Sequence, residues 1–413
     1  MKKTLLATAV VAGFTGAAQA NSSVTIYGLV DAGLAYEKNK VTQSDNRIEN
    51  RTFGMQKFTG ARNGSRWGFK GGEDLGNGSK AIFQLESGFD PGNGKSLQGN
   101  RLFGRQAFFG LSNESWGALT LGRQYSIASQ TIAPKGPFNS GYFQAGQLFG
   151  AFGSSTYGRM NNSVKYMSPD FSGFQFGIAY AGNHNKSEFE WDGVDKIETK
   201  QASNWISTGG SYDNGPLAIG FSYDRYRTNA RTAPDISKGT PAKTHKGTVH
   251  TWNLFGNYDF DIVKLDLGYG QVRGAIGNKN RANVEMEASS IGLNNLFTPF
   301  TQGMRSDGLL YSQTNGYRQQ AWTVGLTIPA GEAGKVLASY QGSHTKNNDR
   351  GFDGVKGNLH IFSLGYEYRL SKRSLLFAVA SMGTGRLKFN DSNAHPKAKL
   401  STSLVGVGLQ TRF

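Results

Sequence analysis

Cysteine is absent from the 413 residues, so the chain can build no disulfide framework, thiolate metal site or thiol nucleophile. No apolar run reaches 18 residues, which excludes a protein that crosses a bilayer with helices. Proline is scarce, at 10 residues, and no Pro/Ser linker or break in composition divides the chain, so it reads as one domain. Hydrophobic residues make up only 37%, too few for a large compact core, yet the pattern is not that of a disordered chain. Acid is missing locally: no Asp or Glu occurs from Ser115 to Pro169. Catalytic and metal signatures are missing too. There is no HExxH or GxSxG, and the histidines at 184, 245, 250, 344, 360 and 395 show no paired metal-ligand spacing. Gly92-Asn93-Gly94-Lys95-Ser96 ends like a phosphate loop, but Phe89 stands where the first glycine is needed, so it reads as a turn. The expectation is a chain with no enzyme activity, cofactor or metal.

Both ends are informative. Met1 to Ala20 carries Lys2 and Lys3, an apolar run from Leu5 to Phe14, and Ala18-Gln19-Ala20, the layout of a secretory signal peptide cleaved after Ala20. Residues 21–413 would then form the mature domain. At the other end, Val405, Val407, Leu409 and Phe413 share one parity, and Gly406, Gly408, Gln410 and Arg412 the other. Strand side chains alternate faces, so this is a ribbon with one apolar face, ending on an aromatic. In a closed membrane barrel it is the last strand, with its apolar face to lipid and Phe413 in the interfacial girdle.

Similar alternation recurs between polar stretches. It predicts strands at Val24–Tyr36, Arg66–Gly72, Ala81–Phe89, Leu102–Leu111, Ala118–Arg123, Asn162–Ser168, Phe174–Gly182 and Ser203–Asp213. Eight more follow at Pro216–Arg225, Val249–Phe260, Ile262–Val272, Tyr317–Ile328, Val336–Ser343, Leu359–Leu370, Leu375–Thr384 and Thr402–Phe413. Short turns such as Gly76–Gly78, Asn214-Gly215 and Ser371–Arg373 alternate with long connections such as Tyr125–Met160, Arg227–Thr248, Gly274–Gly316 and Arg386–Leu400. The expected fold is all-β: a transmembrane antiparallel barrel of 16 strands, with periplasmic turns and external loops. The high glycine content, 57 residues, and 45 basic against 29 acidic residues are compatible with this. The basic excess raises nucleic acid as a partner, but the export signal argues against it.

Several motifs carry a more specific likeness. They are Val24-Thr25-Ile26-Tyr27-Gly28, Ser65-Arg66-Trp67-Gly68-Phe69-Lys70-Gly71, Gly72-Glu73-Asp74-Leu75-Gly76, Arg105-Gln106-Ala107-Phe108-Phe109-Gly110-Leu111, Leu121-Gly122-Arg123-Gln124-Tyr125, Gly158 to Tyr166, and the terminal Phe413. With these the mature chain resembles the general porins of Gram-negative bacteria, most closely the beta-proteobacterial branch. The resemblance implies an outer-membrane homotrimer of sixteen-stranded barrels, each narrowed by its third long loop. It also implies contact with outer-membrane lipid and lipopolysaccharide, and delivery to the barrel-assembly machinery through the strand ending at Phe413.

The resemblance places an arginine ladder at Arg66, Arg105 and Arg159 on one wall of the constriction. Parity points the same way: Trp67, Phe69 and Gly71 outward puts Arg66 and Lys70 inward; Phe108 and Gly110 outward puts Arg105 inward; Val164 and Tyr166 outward puts Lys165 inward. A charge on the lipid face near the midplane would cost about 2–4 kcal/mol. Arg123 ends its strand where the inward loop begins, and Lys135 lies within that loop. Glu86 is expected beside the arginines and Asp31 on an inward position near Leu29, each tempering the positive field. The loop aromatics Tyr125, Phe138, Tyr142, Phe143, Phe149, Phe152 and Tyr157 are expected to pack the loop to the wall, with a sugar-stacking track as the alternative.

Cation-preferring members place acids on the inward loop, and this sequence places none there, so the constriction is expected to favour anions. Passive diffusion of small hydrophilic solutes is the leading function. A substrate-specific phosphate or organic-acid channel with a saturable site is the alternative; an outer-membrane enzyme or an adhesin is a weaker rival.

Overall fold

The computed structural model describes residues 22–43, 46–55, 60–146, 158–191, 194–231, 244–274, 316–349, 356–388 and 397–413. The leader 1–20 and the aromatics Phe149, Phe152 and Tyr157 lie outside the described residues. Seventeen strands follow in order: β1 Ser22–Gln43, β2 Asn46–Gly54, β3 Arg66–Gly76, β4 Ser79–Gly88, β5 Gln106–Asn113, β6 Gly117–Tyr125, β7 Arg159–Met167, β8 Phe174–Trp191 and β9 Val194–Asn214. The remainder are β10 Leu217–Arg231, β11 Thr244–Asp259, β12 Lys264–Gly274, β13 Tyr317–Ala330, β14 Gly334–Asn347, β15 Lys356–Arg369, β16 Ser374–Lys388 and β17 Lys397–Arg412.

Each strand from β3 to β17 pairs antiparallel with the next, and β1 closes the ring. Residues Ser22 to Leu29 of β1 pair with β3, while Leu29 to Gln43 pair with β17. The result is a closed antiparallel barrel of 16 strands, with no open edge at the seam. The remaining strand, β2, pairs with the upper part of β1 from Ala35 to Gln43 and stands outside the ring. At its centre Glu49 accepts from Arg47, Arg51 and Lys38, and these cations hold its carboxyl at about 2.

The alternation expected from the sequence sets the two faces. On β17, Val405, Val407 and Leu409 are exposed on the outer surface while Leu404 and Gln410 are buried inside. The outer face of the other strands carries Ile26, Leu34, Phe221, Leu254, Leu267, Val324, Phe362 and Leu364. Phe413 and Gly28 exchange backbone hydrogen bonds of 3.1 and 3.2 Å across the seam. A Cβ on Gly28 would meet the Phe413 ring and lie 2.7 Å from the backbone oxygen of Arg66. Gly28→Val should therefore strain the closing seam by about 1–3 kcal/mol. The expected result is a lower unfolding temperature in detergent, read by the gel mobility of heated against unheated protein.

Three expectations need correction. The first strand runs to Gln43 rather than Tyr36, and β2 fills a stretch read as a loop. Likewise β8 and β9 extend well past Gly182 and before Ser203. Beyond the apolar band the outer face no longer has to be apolar, so period-two hydrophobicity fades while the backbone ladder continues. The third concerns β5. Phe109, not Phe108, is exposed on the outer face, and Phe108 lies opposite Gln84 on the inner one. Arg105 precedes the strand at a bend, so alternation along β5 does not determine its direction.

Candidate functional site at the channel constriction

Residues 126–146, which follow β6, are folded into the barrel. Ser126 caps the short helix α1 (Ile127–Thr131), its side chain accepting from the Ser129 N–H. Ile127 donates from its backbone to Ser207 Oγ on β9 at 3.0 Å, and its side chain packs with Met160, Met167, Ala179 and Trp205. The chain then runs along the inner wall. Asn257 of β11 donates to the Lys135 carbonyl at 3.3 Å. Gln341 of β14 donates to the Ala145 carbonyl at 2.6 Å. Gln144 donates to the Ser381 carbonyl of β16 at 3.2 Å and accepts from Thr402 of β17 at 3.0 Å. The described part of the third long loop thus lies inside the barrel, as expected, and reaches from β9 to β17.

Its tip is conformationally unusual. Phe138, Asn139, Ser140 and Tyr142 all have positive φ, a region sparsely populated by residues other than glycine. Packing imposes this geometry. The Phe138 ring fills the space over Gly365, where a Cβ would lie 2.6 Å from it. Phe138 and Tyr142 join Leu337, Phe377, Val379 and Leu404 in an inward-facing apolar cluster.

A polar latch completes this anchorage. Glu367, inward on β15, accepts from Arg62 Nε at 2.6 Å and Arg62 Nη2 at 3.3 Å, from the Tyr142 hydroxyl at 2.6 Å, and pairs with Lys335 at 3.0 Å. Arg62 also donates to Gln410 on β17 at 3.2 Å. Asp31 is fully buried beside it, accepting from the Asn63 N–H at 3.0 Å and from Gln410 Nε2 at 2.9 Å. Asp31 therefore holds the segment before β3 in place.

Most of the cations expected at the constriction gather on the wall formed by β3 to β7. Arg105 donates from Nε to Glu86 Oε1 at 2.7 Å and from Nη2 to the Tyr125 hydroxyl at 2.7 Å. Arg159 donates to that same hydroxyl at 2.8 Å, with its guanidinium 4.5 Å from the centre of the Tyr125 ring. Glu86 also accepts from the Tyr27 hydroxyl at 2.9 Å. Arg66 is inward and half-buried, its Nε donating to the Gly64 carbonyl at 2.9 Å. A register shift on β6 between Gly122 and Gln124 buries Arg123 and Gln124 consecutively. Arg123 donates to the Gly104 carbonyl at 2.8 Å and to Asn161 Oδ1 at 2.5 Å. Lys165 reaches the base of the loop, donating to the Tyr125 carbonyl at 3.3 Å and Gln130 Oε1 at 3.2 Å.

Arg105, Arg159 and Glu86 are thus brought together around Tyr125, with Arg66, Arg123 and Lys165 on the same wall. Lys135 is elsewhere. Its ammonium pairs with both Asp213 oxygens, at 2.5 and 2.8 Å, near the short-turn end of β9. Sequence reasoning took Tyr125 and Tyr142 as packing groups and missed that their hydroxyls join charged clusters. It also missed Arg62, Glu367 and Lys335. Glu367 could have been found, since it is a charge at the inward position between the outward Tyr366 and Tyr368; Arg62 lies outside any strand and has no such signal.

The family model for Gram-negative porins matches residues 7–386. An outer membrane porin protein of Bordetella pertussis is 38% identical over the whole of both chains. Outer membrane porin protein 32 of Delftia acidovorans is 29% identical over 91% of this chain and 88% of its own. In solved structures, an anion-selective porin from Comamonas acidovorans has the same fold, with a TM-score of 0.58, 22% identity, and coverage of 95% of this chain and all of its own. A trimer form of an outer membrane protein of Vibrio cholerae aligns with a TM-score of 0.56 at 15% identity, covering 95% and 99%. The chain belongs to the Gram-negative porin family and is an outer-membrane protein; its relatives are channels rather than enzymes.

Proposed function

We propose that this porin passes small hydrophilic solutes by passive diffusion, prefers anions, and works as a homotrimer after removal of residues 1–20. The observation that carries the anion preference is the bank of Arg66, Arg105, Arg123, Arg159 and Lys165 on one wall, joined to a loop without acid from Ser115 to Pro169. The carboxylates near the loop are engaged: Glu86 with Arg105, Glu367 with Arg62 and Lys335, and Asp213 with Lys135. A low-dielectric wall focuses the field of fixed charges, so local imbalance outweighs the chain's global excess. Basic side chains lining a narrow pore raise the local concentration of anions and repel cations.

The test is the zero-current potential across a planar bilayer under a potassium chloride gradient. An anion-selective sign is the expected result; a cation-selective sign overturns the assignment. The shared Tyr125 contact of Arg105 and Arg159 also supports a second reading, a specific site for phosphate or an organic acid, since clustered guanidiniums suit oxyanions. Conductance that saturates with phosphate but not with chloride would favour that specific channel.

A further inference from the structure

We propose that the inner wall below the constriction is a second solute station, where Lys70 and Phe108 select organic anions that carry a flat aromatic ring beside the carboxylate. The inference rests on the anion preference proposed above and adds the class of solute.

Cross-strand register assembles the station. Lys70 of β3 lies opposite Gln84 of β4, Gln84 opposite Phe108 of β5, and Phe108 opposite Gly122 of β6. Lys70 comes four residues after Arg66 on the same face of β3, so the row lies about 13 Å along the strand from Arg66, toward the short turns. Neighbouring strands are about 4.8 Å apart, which puts the Lys70 and Phe108 backbones about 10 Å from each other. A lysine stem and a benzoate-sized anion together bridge that gap.

The cation is free to take a solute. Lys70 is exposed on the channel side, and its ammonium stands 5.5 Å from the centre of the Tyr27 ring. Among the described residues that ammonium makes no ion pair or hydrogen bond. The acids nearest to it are engaged. Glu86 accepts from Arg105 at 2.7 Å and from the Tyr27 hydroxyl at 2.9 Å. Asp74, opposite Lys80 near the turn, accepts from the Gly76 N–H at 2.9 Å.

The aromatic ring is not there for the membrane. Phe109 supplies the outer face of β5, while Phe108 is half-buried on the channel side. Its two cross-strand neighbours leave it uncovered. Gly122 has a φ of +132°, and a Cβ there would collide with the Ala107 carbonyl oxygen, so this flank carries no side chain. On the other flank, Gln84 Nε2 donates to the Tyr27 hydroxyl at 2.5 Å, which draws the amide toward β1 and away from β5. Among the described residues no second ring contacts Phe108. An aliphatic or inorganic anion would use only the ammonium. A benzoate-like anion uses both parts, its carboxylate on Lys70 and its ring on Phe108.

The experiment uses the full-length folded protein in planar bilayers with symmetric potassium chloride. Benzoate, acetate and neutral benzyl alcohol are added in turn, and the fall in chloride current gives a half-saturating concentration for each. Benzoate should reach half-saturation about fivefold below acetate, the gain expected from one aromatic contact. Phe108→Ala should bring benzoate to the acetate value, and Phe108→Leu should do the same while keeping an apolar side chain. Lys70→Gln should weaken benzoate and acetate alike, by about threefold. Heat-modified gel mobility checks the fold of each variant. Equal block by benzoate and acetate in the parent overturns the proposal, as does an unchanged ratio in the two Phe108 variants. Block by benzyl alcohol that matches benzoate also overturns it, leaving partition of the ring alone. Equal block beside an anion-selective zero-current potential defeats this proposal only; a cation-selective potential defeats the reading on which it rests.

Discussion

Arg66, Arg105 and Arg159 replaced together by Gln bring the zero-current potential toward zero, or across it to the cation side. At an effective dielectric of about 20, one unit charge about 8 Å from a permeating ion contributes about 2 kcal/mol before salt screening. Screening reduces this, but a tenfold change in permeability ratio needs only about 1.4 kcal/mol. Removing three charges should thus lower the anion-over-cation ratio by about tenfold or more. The sign is reinforced by Glu86, whose carboxylate loses its 2.7 Å partner when Arg105 is neutralised and then contributes a negative field of its own. A control replacing Lys388 and Lys397, outward on β16 and β17, should leave the potential where it was. If the triple variant keeps the full preference, the selectivity element is not on this wall.

Glu367→Ala is expected to have the largest effect on stability. Its carboxylate holds Arg62, Lys335 and the Tyr142 hydroxyl at once, with the side chain almost fully buried. Removing one partner of a buried ionic cluster typically costs about 3–5 kcal/mol, because the remaining charges stay desolvated. The cost falls on the loop tip and on the segment of Arg62 before β3, while the backbone ladders of β14, β15 and β16 keep their hydrogen bonds. The positive-φ residues Phe138 to Tyr142 then lose the contact that helps impose their geometry. A lower unfolding temperature and noisier single-channel current at constant applied voltage are expected together. Glu367→Gln, which keeps an acceptor for Tyr142, should lie between the variant and the parent.

The barrel was legible because lipid and water impose opposite demands on alternate residues, as at Val405, Val407 and Leu409. Where that contrast ends, legibility ends. The upper halves of β1, β8 and β9 and the whole of β2 went unread because their sequences carry polar residues at both parities, as at Lys38 and Asn39. The charged wall was partly readable. Arg66 and Lys165 lie on regular strands, so parity orients them, whereas Arg105 lies on a bend, where the same reasoning assigned Phe108 to the wrong face. The inward loop's bare charge could be read directly, but its attachments could not. Gln144 to Thr402 and Arg62 to Gln410 join residues hundreds of positions apart, and no local pattern encodes such pairs.

Those distant pairs also couple the loop to the seam. The tip of the constricting loop is fastened to Ser381, Thr402 and, through Glu367 and Arg62, to Gln410, all on β16 and β17, beside the strand pair that closes the ring. With β17 unseated, the aperture lacks these anchor points even where its contact with β14 is made. Narrowing of the passage and closure of the wall are therefore mechanically linked, so a barrel parted along β1 and β17 has no finished filter to present.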